Sequence, residues 1–138
     1  MIISGSIAIV TGASSGIGQS FTEHLLQKGA AVYGLSRNLE RMQAHKDTLG
    51  AQGEQYYPVH MDISDHDAIQ SWVESEFTSQ NITPDILINN AGVGYFDQVE
   101  DLPLEQFEQM MQVNVSGVFY LTRHITPLMK ANPNVCHI

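Results

Sequence analysis

A glycine-rich turn directly follows an apolar run near the start of the sequence. Residues 7–10 are apolar and mostly β-branched, and they lead into Thr11-Gly12-Ala13-Ser14-Ser15-Gly16-Ile17-Gly18. A turn between a strand and a helix presents backbone N–H groups to a phosphate, and the positive end of the helix dipole strengthens that site. The alternative is an ordinary strand-to-helix turn, which also uses glycine.

Each glycine of this G-x-x-x-G-x-G pattern has its own expected task. We expect Gly12 to turn the chain off the strand and Gly16 to let the backbone approach a pyrophosphate. Gly18 is expected to let the helix pack close to the strand. The pattern therefore predicts a phosphate-binding turn.

Composition narrows the class of protein. The 138 residues carry 6 Lys and Arg against 15 Asp and Glu, and the net charge of −9 argues against nucleic-acid binding. A hydrophobic content of 43% predicts a single globular domain over residues 1–138. Cys136 is the single cysteine, which fits a cytoplasmic location. No run suits a membrane span or a signal peptide, and the six histidines lack zinc-ligand spacing, so we expect neither membrane nor metal binding.

Strand and helix patterns alternate along the chain. Apolar runs predict strands over residues 6–11, 30–35, 56–61 and 85–88, and residues 134–138 look like the start of a fifth. The alternation predicts an α/β fold, with a doubly wound, mostly parallel sheet and helices on both faces. In the strand order 3-2-1-4-5, the carboxyl ends of strands 1 and 4 form one crevice. Asn38 and a Ser64-x-x-Asp67 box are the expected helix caps.

Three further segments follow the glycine-rich turn, namely Asp62, the run Asn89-Asn90-Ala91-Gly92, and Val113-Asn114. In this order and combination the sequence resembles the short-chain dehydrogenase/reductase family over essentially its whole length. The resemblance implies a Rossmann-like domain and an oxidoreductase. Such an enzyme moves a hydride between a nicotinamide dinucleotide and a small carbonyl or alcohol substrate.

The end of the second strand bears on which dinucleotide is preferred. A carboxylate at this place commonly binds the adenosine ribose and repels a 2′-phosphate. This chain has Ser36-Arg37-Asn38 instead, and a guanidinium binds phosphate through two parallel hydrogen bonds. We therefore expect a preference for NADP(H) over NAD(H). The alternative is a solvated Arg37 paired with Glu40 or another acid.

The resemblance also implies roles for the later segments. Asp62 would contact the adenine amino group and Ile63 would pack on the ring, unless Asp62 instead caps local backbone. Residues 90–92 would lie along the ribose and pyrophosphate, and Asn89 is expected to tie strands together. The expected cofactor-binding residues are Gly12, Ser14, Ser15, Gly16, Ile17, Gly18, Ser36, Arg37, Asp62, Ile63, Asn90, Ala91 and Gly92.

A long helix is expected from Pro103, which suits a first turn, to about Met129, and Pro127 is expected to kink or end it. Asn114 interrupts its apolar stripe. Two compatible interpretations of Asn114 stay open. One is a hydrogen-bonded core asparagine. The other, implied by the resemblance, is the catalytic asparagine that binds a water in the proton relay. An apolar face of this helix that no other element covers suggests that copies of the chain form homo-oligomers. The stripe consists of Phe107, Met111, Val118, Leu121 and Ile125.

The catalytic serine and the Tyr-x-x-x-Lys motif of the family would follow the fifth strand. No tyrosine here has a lysine four residues later. We therefore expect the fold to be incomplete at the C-terminus and the isolated chain to show little turnover. Two other interpretations stay open, a non-catalytic NADP(H)-binding module and an inert truncated fragment.

Overall fold

The computed structural model describes residues 2–138, which contain one four-stranded parallel sheet. Its strands are β1 (Ile7–Thr11), β2 (Ala31–Ser36), β3 (Tyr56–His60) and β4 (Ile86–Ile88), in the order β3-β2-β1-β4. The predicted order is thereby confirmed for strands 3-2-1-4. In place of a regular fifth strand, a single parallel bridge joins Ile86 to His137, whose N–H donates to the Asp85 carbonyl at 3.0 Å.

The helices alternate with the strands as expected. They are α1 (Gly16–Gln27), α2 (Leu39–Thr48), α3 (His66–Val73), α4 (Leu104–Met111) and α5 (Val118–Ala131). A π-helical turn over Gln112–Gly117 joins α4 to α5, so residues 104–131 form one continuous helical segment. Pro127 lies inside α5 and does not end it. Among residues 2–138, no helix is both long enough and apolar enough to cross a membrane.

Helices cover both faces of the sheet, as a doubly wound fold requires. Because side chains alternate along a strand, neighbouring residues of β1 enter different cores. Ile9 packs with Trp72 of α3 and Leu121 of α5, whereas Val10 packs with Leu26 of α1 and Met42 of α2. The sheet is therefore buried on both sides, which explains why its strands read as unbroken apolar runs.

The structure confirms Leu121 and Ile125 in the buried stripe of the long helix but corrects its N-terminal part, because Phe107 and Met111 are exposed. Its buried face runs at four-residue spacing through Val113, Gly117, Leu121, Ile125 and Met129. Apolar side chains between the start of α4 and the start of α5 instead face solvent. These exposed residues are Leu104, Phe107, Met111, Val115 and Phe119.

Several local predictions are also corrected, while the Asn38 cap of α2 is confirmed. The expected Ser64–Asp67 box does not form; Asp65 caps α3 by accepting from the Ala68 amide at 3.0 Å. Pro103 is the residue before α4 rather than part of its first turn. Residues 94–102 form a loop with turns.

Candidate functional site

The glycine-rich turn connects β1 to α1 and depends on backbone conformations that favour glycine. Gly12 has φ +68° and Gly16 has φ +53°. A Cβ at Gly16 would meet no atom within 4 Å, so this position borders open space. A Cβ at Gly18 would instead clash with the Gly12 carbonyl oxygen. Gly18 therefore lets the start of α1 pack against the turn, as expected from the sequence.

Backbone amides of the turn divide into two groups. Those of Gly12 and Ala13 donate to the Leu35 carbonyl at 2.8 and 3.3 Å, which fixes the turn to the end of β2. The next group opens α1, where the extended Ser15 precedes the helix without forming a side-chain cap. The first amides of a helix have no partner inside it and point along its axis. The start of α1 thus offers N–H donors and a positive dipole end to an anion.

A second turn, residues 89–92 after β4, packs tightly against the glycine-rich turn. The Thr11 hydroxyl accepts from the amides of Asn90 and Ala91, both at 2.9 Å, and the Asn90 side chain donates to the Thr11 carbonyl at 3.0 Å. A Cβ at Gly12 would lie 2.9 Å from the Ala91 Cα, so glycine also permits this approach. Thr11 is 1% exposed and its importance was missed in the sequence.

The expected role of Asn89 as a tie between strands is not observed. Its side-chain amide donates to the Thr122 hydroxyl at 3.1 Å, which joins the end of β4 to α5. Asn90 is the residue whose side chain links the ends of β4 and β1. A polar side chain at either position could make such a bond, and the sequence does not distinguish them.

At the end of β2, Ser36 and Arg37 border the turn. The Ser36 hydroxyl donates to the Ser14 hydroxyl at 2.9 Å, so two hydroxyl groups lie side by side next to an exposed arginine. Within residues 2–138, Arg37 forms no ion pair with a carboxylate, so the alternative pairing with Glu40 is not formed. The guanidinium is free to meet an anion from solution.

Asp62 follows β3 and forms the local turn that was the alternative interpretation of this residue. Its Oδ1 accepts from the Ser64 amide at 2.9 Å and from the Ser64 hydroxyl at 2.7 Å. Burial acts to raise the pKa of Asp62, but the Ser64 hydrogen bonds and the charges of Arg37 and His60 outweigh it and lower that pKa below its ordinary value. Asp62 is therefore an anion at neutral pH, with both Ser64 bonds on one oxygen.

Asn114 lies in the π-helical turn and holds the chain that leaves residues 89–92. Its Oδ1 accepts from the Val93 amide at 2.9 Å and its Nδ2 donates to the Val93 carbonyl at 2.8 Å. The residue is exposed, so its expected burial in the core is wrong. A Cβ at Gly92 would lie 3.3 Å from the Asn114 Oδ1, a tight contact that the Asn114 side chain would have to shift to accommodate.

These turns surround one cleft of about 450 Å³ at the carboxyl ends of β1, β2, β3 and β4. The cleft contains every expected cofactor-binding residue except Gly18, which packs beneath it, while Asn114 lies beyond its rim. Leu35, Met61, Val93 and Val113 were missed; the first two are the apolar residues just before Ser36 and Asp62. The lining residues are Gly12, Ser14, Ser15, Gly16, Ile17, Leu35, Ser36, Arg37, Met61, Asp62, Ile63, Asn90, Ala91, Gly92, Val93 and Val113.

Known proteins resemble this chain in sequence. The Escherichia coli NADP-dependent 3-hydroxy acid dehydrogenase YdfG is 33% identical over 124 residues, which cover 89% of this chain and 48% of YdfG. The Bacillus subtilis uncharacterized oxidoreductase YxbG is 32% identical over 126 residues, which cover 91% of this chain and 46% of YxbG. The chain thus spans about half the length of these relatives.

Solved structures share the fold. A short-chain dehydrogenase/reductase from Burkholderia phymatum in complex with NAD matches with a TM-score of 0.91 at 27% identity, covering 100% of this chain and 49% of the other. A metagenomic short-chain oxidoreductase in complex with NADP matches with a TM-score of 0.86 at 31% identity, covering 95% and 59% of the two chains. The short chain dehydrogenase family model matches residues 6–135. The chain is therefore a member of the short-chain dehydrogenase family.

Proposed function

We propose that the cleft binds a nicotinamide dinucleotide, with its pyrophosphate at the start of α1. The observation that carries this proposal is one continuous cleft that joins the uncapped helix start, Arg37 and residues 90–92. Gly16 borders the open space and places no side chain there, which suits close approach of a diphosphate to backbone N–H groups. The residues present therefore fit the cofactor that similar structures hold.

NADP(H) is the favoured form of the cofactor. The end of β2 has two hydroxyl groups and an unpaired arginine, and it lacks the carboxylate that would repel a 2′-phosphate. Arg37 would bind that phosphate through parallel N–H donors, with Ser14 and Ser36 beside it. Asp62 would accept from the adenine amino group while Ile63 packs on the ring. The NADP dependence of YdfG and the NADP in the metagenomic structure agree with this form.

Residues 90–92, on the wall of the cleft opposite the start of α1, would lie along the ribose and the pyrophosphate. Through its two hydrogen bonds to Val93, Asn114 would hold the backbone next to residues 90–92 in place. It would also take the family role of holding a water. When bound, the nicotinamide supplies or accepts the hydride. The substrate would be a small carbonyl or alcohol compound, and the expected location is the cytoplasm.

The isolated chain is proposed to show little turnover, because none of its five tyrosines precedes a lysine by four residues. In the Tyr-x-x-x-Lys motif of the family, the tyrosine hydroxyl moves the proton that accompanies hydride transfer. A second candidate function is a non-catalytic NADP(H)-binding module, which the intact cleft supports as well. An inert fragment is the third candidate.

The exposed apolar residues of α4 and the following turn favour homo-oligomers. These residues are Phe107, Met111 and Val115.

Calorimetry with NADPH and NADH tests the binding proposal, and a pair of substitutions at Gly16 tests its location. Asn and Asp tolerate positive φ better than other residues with a side chain, and the site is open, so Gly16→Asn and Gly16→Asp should both fold. They have nearly the same volume and differ in charge. We expect wild-type protein to bind NADPH, Gly16→Asn to bind more weakly, and Gly16→Asp to lose binding. Equal affinity of the two variants would contradict a diphosphate at this turn.

Turnover assays separate the candidate functions. Oxidation of NADPH with a panel of small ketones should give no rate above the protein-free control, even where calorimetry shows saturable binding. Binding without turnover supports the module, and neither binding nor turnover supports the inert fragment. A clear ketone-dependent rate would show that the chain itself is a complete reductase and would contradict the proposed low turnover.

A further inference from the structure

Two histidines from different helices meet outside the cleft. His66 is the first residue of α3 and His124 lies on α5, and their Nε2 atoms are 3.0 Å apart. The ring centroids are separated by 5.1 Å with the planes inclined at 39°. Neither residue lines the cleft, so the family function does not account for this pair.

The separation of the two nitrogens suits two ligands of one transition-metal ion. With metal–nitrogen bonds of about 2.0–2.1 Å, two neighbouring ligands at a right angle lie about 2.9 Å apart, and two tetrahedral ligands about 3.4 Å apart. The observed 3.0 Å is closer to the right-angle arrangement of tetragonal or octahedral ions. An ion bonded to both nitrogens would lie off the line that joins them, so each ring would have to turn until its lone pair points at the ion.

Two neighbouring groups lie against the His66 ring. Asp67 places its Oδ1 3.4 Å from the His66 Nδ1, on the side of the ring away from His124. A carboxylate at this position favours the proton on Nδ1 and leaves the Nε2 lone pair for a metal. The edge of the Tyr120 ring also packs on His66, with centroids 5.0 Å apart.

Some charges around the two histidines favour a bound cation and others oppose it. Burial, with the charges of His66 and Arg123, lowers the pKa of His124. Arg123 and the positive start of α3 oppose a cation, whereas Asp65 and Asp67 flank His66 and the chain has a net charge of −9. Among residues 2–138 no group of three or more ligating side chains could hold a metal, so waters would complete the coordination.

We propose that His66 and His124 form a two-histidine site for a late first-row divalent cation, Ni²⁺ or Cu²⁺ in preference to Zn²⁺, which clips α3 to α5. In the metal-free protein the same two nitrogens share one proton in a hydrogen bond. An ion bound at both rings would stabilise the packing of the two helices, because both ligands are together only in the folded state.

Thermal unfolding of the untagged chain tests the site, with NiCl₂, ZnCl₂ and MgCl₂ as the probes. Saturating Ni²⁺ should raise the Tm by about 5 °C, Zn²⁺ should raise it less, and Mg²⁺, which prefers oxygen ligands, should leave it unchanged. His66→Gln and His124→Gln should each lose the Ni²⁺ response. His24→Gln is the matched control, since His24 is an exposed histidine of α1, and it should keep the response.

Histidine NMR spectra of the wild-type protein provide a readout that does not depend on the variants folding. Zn²⁺ should shift the imidazole signals of His66 and His124 together and leave that of His24 in place. An unchanged Tm of the wild-type protein with Ni²⁺ would overturn the proposal. So would an equal Ni²⁺ response in His124→Gln, or Zn²⁺ shifts at histidines other than this pair.

Discussion

The hydroxyl of Ser36 donates a 2.9 Å hydrogen bond to the hydroxyl of Ser14. This bond joins the end of β2 to the glycine-rich turn and places both hydroxyls beside Arg37 at one end of the cleft. Two hydroxyls and a free guanidinium form a neutral-to-positive corner in an otherwise acidic protein. In the proposed binding mode, the 2′-position of the adenosine ribose, where NADP(H) and NAD(H) differ in charge, lies at this corner.

Arg37→Asp should reverse the cofactor preference. The new carboxylate would repel a 2′-phosphate and accept from a free ribose hydroxyl, so the affinity for NADPH should fall at least tenfold relative to that for NADH. Competitive binding of the two cofactors measures the ratio. Arg41→Asp changes the same charge on an exposed α2 residue outside the cleft and should leave the ratio in place. An unchanged ratio in Arg37→Asp would remove the basis for NADP(H) selectivity.

Thr11→Val should destabilise the protein and weaken cofactor binding together. The substitution keeps the side-chain shape but leaves the amides of Asn90 and Ala91 without their acceptor, which costs about 2 kcal/mol or more of unfolding free energy. Thr11→Ser keeps the acceptor and should lose about 1 kcal/mol, for the buried methyl group. Urea unfolding measures both values. Equal losses in the two variants would show that the hydroxyl does not hold the turn of residues 89–92.

Tyr56→Phe should be neutral or stabilising at pH 7. The Tyr56 side chain is completely buried, and its hydroxyl has no hydrogen-bond partner among residues 2–138. Removing such a group can raise the unfolding free energy by up to about 1 kcal/mol. Tyr57→Phe, at a partly exposed ring, is the matched control and should change little. A loss of more than about 1 kcal/mol in Tyr56→Phe would indicate a partner for the hydroxyl.

The same substitution should alter stability at high pH. Burial raises the pKa of Tyr56 from 10.0 to about 12, so the folded state keeps this proton longer than the unfolded chain. The resulting stability is present below pH 10 and is lost as the pH rises toward 12. Tyr56→Phe should remove much of this alkaline loss. A smaller part should remain from Tyr33, whose pKa is raised by burial and by the charges of Glu76 and Tyr57.

Asp62 should make the protein sensitive to acid. Because the pKa of this carboxyl in the folded state is lowered from 3.8, its stabilising effect is present above pH 3.8 and disappears as the pH falls through the lower folded value. Asp62→Asn should therefore be less stable at pH 7 and show a flatter stability profile below pH 4. Asp101→Asn, at an exposed turn, should keep the wild-type profile. A wild-type profile in Asp62→Asn would mean that the Ser64 bonds do not favour the anion.

The elements that position the cleft could be predicted because local and global signals agree. The apolar run of β1 ends at Gly12, whose positive φ and close contact with Ala91 admit little else, and Asn38 caps α2 as its residue type suggests. The strand order for β3-β2-β1-β4 came with the resemblance, and the structure confirms it. Periodicity alone does not specify which strands are neighbours.

The errors have a common physical origin, which is competition between equivalent polar groups or equivalent apolar faces. Asp65 rather than Ser64 caps α3, because Ser64 is already bound to Asp62. Asn90 rather than Asn89 bridges to β1, a choice that depends on which side of the turn each amide faces. The N-terminal part of the helical stripe was misjudged because residues 104–131 carry two apolar faces, and the sequence does not say which one the sheet covers.

Backbone amide chemical shifts measured during titration with NADPH test the central claim most directly. If the dinucleotide crosses the cleft, the amides of Ser15, Gly16 and Ile17 on one side and of Gly92 on the other should shift together, with one saturation curve. The Arg37 amide should join them with NADPH and respond less to NADH. Shifts confined to one wall of the cleft, or to the exposed residues of α4 and α5, would contradict the account.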